Sequence, residues 1–327
     1  MTRRSVPHSK AIDERRFHGW LARELPAGRK GLLPLGDDAA AIRLPPGKVA
    51  VLSIDSLVEG THFRSQSPPL RIGAAAAGVS LSDLAAKGAE PVALLLAIVV
   101  PPGTPQAWAE AVIRGAQRTA ERFGMALVGG DTKPGPVRTV VSSVVGWARE
   151  GSLAPRTGAR PGDLVATTGS VGRGGVAAAR MGRTSRPDRG ALSAMLDVRP
   201  RVAEGTALVR WAHAMLDTSD GLAEASRLLS EASRVRVVVE EGRLPLTRAL
   251  RDPSLSPTER RQRAFYGGDY ELLLTLPPKA LPTAEQAVHR AGGRLTAIGR
   301  VARGQGAWLE SGGRLRPMPP AGWRPFG

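Results

Sequence analysis

The chain has no cysteine at any of its 327 positions. That excludes a disulfide framework, a thiolate metal site and a cysteine nucleophile, and leaves oxygen and nitrogen groups to carry any chemistry. Long apolar runs are missing too. The longest, residues 92–100, is about half of the roughly 20 residues a membrane-spanning helix needs, and Pro101 and Pro102 close it. Aromatic residues make up only 4% of the chain, a poor supply for the stacking platform on which single-stranded nucleic acid lies. The five histidines show no spacing of the zinc-binding kind. The basic start (Arg3, Arg4, Lys10) runs directly into an amphipathic stretch over 13–25, with no apolar core or small-residue cleavage site behind it. No secretory leader is expected, and the reading is a cytoplasmic protein.

Positive charge is abundant, with a formal net charge of +17. Six of the 46 basic residues are lysine and the remaining 40 are arginine, spread along the chain without a compact basic block. A polyanion surface is one account of this composition. An arginine-biased, solvated surface is the plainer one, so nucleic acid is not expected as the main partner.

The length fits two domains of about 150 residues each. Short β-branched runs alternate with alanine-rich stretches, which indicates an α/β or α+β architecture. Strands are expected over 49–55, 93–100, 126–129, 139–147, 164–168, 214–217, 236–240 and 272–276. Helices are expected over 11–24, 70–87, 105–123, 175–181, 200–212, 219–233 and 284–291. The Gly-, Pro- and Arg-rich segment 149–163 sets a domain boundary, giving domains over 1–150 and 151–327.

Three expected strands run out into an aspartate: Asp55, Asp131 and Asp217. Two further carboxylate sites lie in the Gly36-Asp37-Asp38 loop and at Asp83. Magnesium takes six oxygens at short range, and aspartates converging from several loops suit it. Each loop also has a purely structural account. Gly36-Asp37-Asp38 is ordinary turn chemistry. Asp83 is placed to pair with Lys87, although a negative charge in the last turn of a helix opposes the helix dipole. Asp217-Thr218-Ser219-Asp220-Gly221 reads as a helix cap, and Gly129-Gly130 as a tight turn. The glycine-rich Gly169-Ser170-Val171-Gly172-Arg173-Gly174-Gly175, between a strand and a helix, is a candidate anion-binding nest that matches no standard phosphate-loop spacing.

The order of these loops carries more than any one of them. Gly36-Asp37-Asp38-Ala39-Ala40, the stretch from Ser53 to Phe63, the stretch from Leu81 to Pro91, Gly129-Gly130-Asp131-Thr132 and Asp217-Thr218-Ser219-Asp220-Gly221-Leu222 resemble the successive motifs of thiamine-monophosphate kinases. The resemblance runs from around Glu14 to Trp323. Asp55-Ser56-Leu57-Val58-Glu59-Gly60-Thr61-His62-Phe63 is its most specific part, because it separates these kinases from their relatives.

The resemblance implies the two-domain fold of aminoimidazole ribonucleotide synthetase, in which the N-terminal sheet pairs across a homodimer into a barrel-like sheet and the C-terminal domain completes each active site. It implies ATP and thiamine monophosphate as substrates and several magnesium ions per site. Asp38, Asp55, Asp83, Asp131, Asp217 and Asp220 match metal ligands, with Ser53 beside them. Gly130, Asp131, Arg156 and Ser219 match ATP contacts. Arg156 is a further charge on the donor side, and no side chain is assigned as a general acid or base. His62, Trp323 and Gly268 fall on the acceptor side.

Two positions depart from the family pattern. Gly267-Gly268-Asp269-Tyr270-Glu271-Leu272 lacks a glutamate usual before the aspartate, and the tail lacks a histidine before its last aromatic. Relatives of the same fold that act on another small phosphate are the nearest alternative; two of them use a cysteine that is absent here. A catalytically inactive, basic polyanion binder is the alternative of another class.

Overall fold

The computed structural model describes residues 40–43, 46–182 and 189–323. The Gly36-Asp37-Asp38 loop, with its candidate ligand Asp38, and the helix expected over 11–24 lie outside the described residues.

The first half builds a five-stranded sheet. β1 (Ala40–Arg43), β2 (Lys48–Val58), β3 (Glu90–Val100), β4 (Ala126–Pro134) and β5 (Thr139–Arg149) stand in the order β1-β2-β5-β3-β4. Helix α1 (Pro69–Lys87) precedes β3, and α2 (Gln106–Arg122) is the crossover between the parallel strands β3 and β4. Both helices lie on one face, so alternate side chains of β3 (Leu94, Leu96, Ile98) are buried. This explains the continuous apolar run 92–100: both faces of β3 are apolar, and one of them is uncovered. That outer face shows Ile54 at 68% and Val128 at 60% exposure, with Val92 and Leu95 beside them.

The second half builds a seven-stranded sheet from β6 (Leu164–Thr168), β7 (Ala214–Asp217), β8 (Arg236–Glu240), β9 (Leu272–Leu276), β10 (Leu295–Ala302), β11 (Gly306–Ser311) and β12 (Arg314–Pro317). The order is β12-β11-β8-β10-β6-β9-β7, and only β8 with β11 is parallel. Its helices are α3 (Arg173–Gly182), α4 (Arg189–Met195), α5 (Val202–Leu208), α6 (Leu222–Ser233), α7 (Pro257–Ala264) and α8 (Leu281–Arg290).

Helix α1 joins the halves. It packs on β2 and β5 on one side and on β7 and α5 on the other, and a helix enclosed in this way must be small or apolar almost all round. Its sequence meets that demand with Gly73, Ala75, Ala76, Ala77, Gly78, Ala85 and Ala86, all buried. Pro69 opens it at a position that needs no amide donor. Gly88 closes it in the left-handed region (φ 70°), its amide donating to the Ala85 carbonyl at 3.0 Å. Two glycines let α1 and α2 meet backbone to backbone: a Cβ at Gly73 would stand 1.8 Å from the Val112 carbonyl oxygen, and one at Gly115 would stand 2.0 Å from that of Leu70. Gly115→Ala is therefore expected to force the helices apart and cost about 1–3 kcal/mol of stability, read by urea unfolding. Unchanged stability would contradict this packing account.

Candidate active site

The polar residues of α1 are each tied to a neighbouring element, because an unsatisfied polar group at these depths is costly. Ser80 Oγ donates to the Ser142 carbonyl of β5 at 3.1 Å. Ser82 Oγ donates to Asp217 Oδ2 at 2.6 Å, at the end of β7. Asp83 accepts a short hydrogen bond from Ser53 Oγ of β2. Lys87 is fully buried and its Nζ donates to the Met215 carbonyl of β7 at 3.0 Å. The helix thereby holds Asp217 of the second half and Ser53 of the first beside its residues 82 and 83.

Around this junction Asp55, Asp83, Asp217 and Asp220 lie within electrostatic reach of the phenol of Tyr270. Burial raises that phenol's pKa, and the four carboxylates add to the rise. Asp55 opens onto the cavity, yet the protein crowded around it raises its carboxyl above the ordinary value, against the Ser56 amide at 2.6 Å and the nearby His62. Among the described residues no three acidic or imidazole groups close a metal cage by themselves; the carboxylates are spread around the tyrosine. The donor set is made of hard oxygens, which suits a magnesium-sized cation and not a thiophilic one.

A cavity of about 550 Å³ opens from this acidic end, lined there by Asp55, Ser219 and Asp220. At its other end stand His62 and Trp323, ring centroids 6.1 Å apart and tilted by 48°. Trp323 is anchored through its amide to the Asp220 carbonyl at 3.0 Å. His62 Nδ1 accepts the Val58 amide at 3.1 Å; in the neutral ring the proton therefore sits on Nε2. Burial pushes this imidazole below its ordinary value, against the pull of Asp55 and Val58. Leu57, Val79, Met195, Leu196 and Val198 form an apolar wall.

Not all expected site residues meet here. Asp131 lies on β4 in register with Ala97 and Val141, on the uncovered face of the sheet, whereas Asp55 aligns with Ser142 and Leu96 on the helix-covered face. Three strand spacings, about 14 Å, also separate β4 from β2. Asp131 pairs with Lys133 at 3.1 Å. Gly130 is held by packing, since a Cβ there would stand 1.9 Å from the Leu96 carbonyl oxygen. Arg156 lies in the connection between the sheets, where its carbonyl accepts from Ser233 Oγ at 3.4 Å, and does not line the cavity. Gly268 does line it, at φ 74°, with only Gly174 Cα, 3.5 Å away, near where a Cβ would stand.

Two local readings change. The helix expected from residue 219 starts at Leu222, with Gly221 (φ 100°) at its N-cap and no side-chain cap. Ser219 Oγ instead donates to Asp217 Oδ1 at 2.8 Å. The glycine-rich loop is an anion nest already filled by the protein. Asp269, 2% exposed, accepts the Gly172 and Gly174 amides at 2.6 and 2.9 Å, and the Ser170 amide reaches Glu271 at 3.3 Å. Glu271 is clamped by Arg201 Nε and Nη2 at 2.7 and 2.6 Å and by Thr168 Oγ1 at 2.8 Å. The residues that sequence reasoning passed over are Tyr266, Tyr270 and the apolar wall. The signals available were the place of Tyr270 in the Gly267–Leu272 motif and the fact that these two tyrosines are the only ones in the chain.

Comparison with known proteins gives the same architecture. The family model described as AIR synthase related protein, N-terminal domain matches residues 36–148, and its C-terminal counterpart matches residues 160–309. The chain is 33% identical to the thiamine-monophosphate kinase of Synechococcus elongatus, over 84% of this chain and 88% of that protein. It is 34% identical to that of Caulobacter vibrioides, over 93% and 88%. The solved structure of AaThiL complexed with AMPPCP and TMP superposes with a TM-score of 0.81 at 26% identity, covering 97% of this chain and 99% of that one. The chain belongs to the AIR synthase related proteins and, among them, to the thiamine-monophosphate kinase family.

The buried clamp has a pH signature. Desolvation pushes the Asp269 carboxyl up to about 6, against its two amide donors and Arg173. The folded chain then holds a proton that the unfolded chain has released, so this group's contribution to stability is complete below the unfolded value near 4 and falls as pH rises through about 6. Removing the titration with Asp269→Asn is expected to shift the stability difference between the two proteins by about 3 kcal/mol, in the variant's favour, from pH 4 to pH 7. Urea unfolding across that range checks this; parallel curves would contradict it.

Proposed function

We propose that the chain transfers the γ-phosphoryl group of ATP directly to the phosphate of thiamine monophosphate, giving ADP and thiamine diphosphate. The observation that carries this reading is a single cavity with Asp55 and Asp220 at one end, Asp83 and Asp217 close behind them, and a histidine–tryptophan pair at the other. Asp131, on the uncovered face of the first sheet, is assigned to magnesium only where a second copy meets that face, whereas Asp55, Asp83, Asp217 and Asp220, with Ser53 and Asp38, are assigned to magnesium here. Bound there, several magnesium ions would neutralise the repulsion between donor and acceptor phosphates and orient them in line.

The protein's own groups do the rest. Ser219, held by Asp217, lines the donor side; Gly130 and Arg156, which do not line this cavity, are assigned to ATP on the family resemblance alone. His62, its Nδ1 occupied by Val58, directs an Nε2–H donor at the acceptor phosphate. Trp323 offers a flat face to the acceptor's ring, and Gly268 leaves open the space beside it. An acceptor phosphate oxygen is already ionised at neutral pH, so no general base is required. The apolar wall from Met195 to Val198 keeps water, the competing acceptor, away from the transferred group.

We assign residues 1–150 to ATP and metal binding and to dimer formation, and residues 151–327 to completing the site. The uncovered sheet face with Ile54, Leu95 and Val128 supports a homodimer, because an exposed apolar face of this kind calls for a partner. A second copy covering it would put Asp131 at the interface. A monomeric mass in solution by light scattering would remove this part of the reading.

The direct test is ADP release on adding thiamine monophosphate, with free thiamine and an aminoimidazole ribonucleotide precursor as controls. Turnover with thiamine monophosphate alone is expected. Turnover only with a phosphate that is not a thiamine phosphate would overturn the acceptor assignment.

A further inference from the structure

Two residues other than glycine have a positive φ among the described residues: Arg234 at 55° and Tyr270 at 54°. Arg234 is the C-cap of α6, a position where left-handed geometry is ordinary. Tyr270 ends no helix. It stands between the turn Gly267-Gly268 and β9, in a conformation that is costly for a bulky aromatic residue and persists only where the surroundings impose it.

The surroundings do impose it, from both sides. Asp269 is held by the Gly172 and Gly174 amides, and Glu271 by Arg201 and Thr168. The backbone of Glu271 is further locked to Thr218: its amide donates to Thr218 Oγ1 at 3.0 Å, and its carbonyl accepts the Thr218 amide at 2.8 Å. With both neighbours pinned, Tyr270 is held within electrostatic reach of Asp55, Asp83, Asp217 and Asp220 and lines the cavity together with Asp55 and Asp220. Among the described residues its hydroxyl makes no hydrogen bond, whereas the serines around it are all engaged. Phenylalanine would fill the same volume, and glycine would adopt the same backbone without strain. What tyrosine adds is an O–H on a residue that lines the cavity together with Asp55, Ser219 and Asp220.

We propose that Tyr270 is a catalytic residue of the phosphoryl transfer, its hydroxyl donating a hydrogen bond to a non-bridging oxygen of the phosphoryl group held over the aspartates. This rests on the kinase reading above. The bond between the γ-phosphorus and its bridging oxygen breaks with its electron pair passing to ADP. A new bond forms from the acceptor phosphate oxygen to the same phosphorus. The tyrosine proton stays on its own oxygen throughout. The role is that of a preoriented donor whose bond strengthens as charge builds on the phosphoryl oxygens.

The test is Tyr270→Phe in the full chain, measured by steady-state ADP release with thiamine monophosphate and by thermal unfolding. The expected result is a kcat lower by about 100-fold, a KM for thiamine monophosphate within about threefold of the wild type, and a Tm within a few degrees of it. Tyr270→Gly, which relieves the backbone but removes a ring packed against the core, is expected to lose activity at least as far and to lower the Tm. A Tyr270→Phe enzyme with kcat within about threefold of wild type overturns the proposal. So does activity lost only in step with Tm, which is the mark of a structural role. If the wild-type enzyme fails to turn over thiamine monophosphate, the kinase reading falls and this role with it; if it turns over and Tyr270→Phe does too, only this role falls.

Discussion

The burial of helix α1 between the two sheets is the constraint from which the site follows. A helix enclosed on both sides has no solvent face on which to discard polar residues, so each one must find a partner in a neighbouring element. Ser82 and Lys87 reach β7, Ser80 reaches β5, and Asp83 meets Ser53 of β2. These bonds fix the relative position of strands from different sheets, and with it the position of Asp55 and Asp217. The acidic end of the cavity is thus a consequence of how the two halves are joined. Loosening α1 would disperse the carboxylates before it unfolded either sheet.

A second layer of control lies behind the cavity. Asp269 and Glu271 occupy amides of the glycine-rich loop that would otherwise attract an external anion. They spend that binding capacity on holding one strained tyrosine in place. The strand β9 that follows is wholly buried, so the clamp is anchored in the core. Beside this clamp the cavity is less tightly built, with Gly268 open to it.

The sequence was most legible where a side-chain pattern reports directly on burial. The β-branched runs gave β5, β6, β8 and β9 closely, and the alanine-rich stretch gave α1 to within a residue. Helix α7 escaped because Pro257–Ala264 buries only Ala264; its signal is the capping box at Ser256, not periodicity. β11 and β12 escaped because they are short, and every residue of β12 is exposed. In the site, Asp55, Asp83, Asp217 and Asp220 were legible from the order of their motifs; Asp217 does end β7, but Asp55, expected at a strand end, lies inside β2, which runs on to Val58. The filled anion nest was not, because the carboxylates that fill it lie about a hundred residues away from the loop. Tyr270 was hidden for the same reason: its backbone angle is set by partners distant in sequence. Asp131, expected where a strand over 126–129 runs out, lies inside β4, which continues to Pro134, and on the sheet face that Asp55 does not share.

The central claim is that α1 assembles carboxylates from both halves into one magnesium–nucleotide site. Calorimetric titration of a non-hydrolysable ATP analogue tests it most directly, run with and without magnesium on the wild type, Asp83→Asn and Asp217→Asn. The account predicts magnesium-dependent binding to the wild type that weakens at least about tenfold in each variant, each losing a carboxylate from the same charge cluster. Equal affinity in all three proteins, or binding indifferent to magnesium, would contradict it.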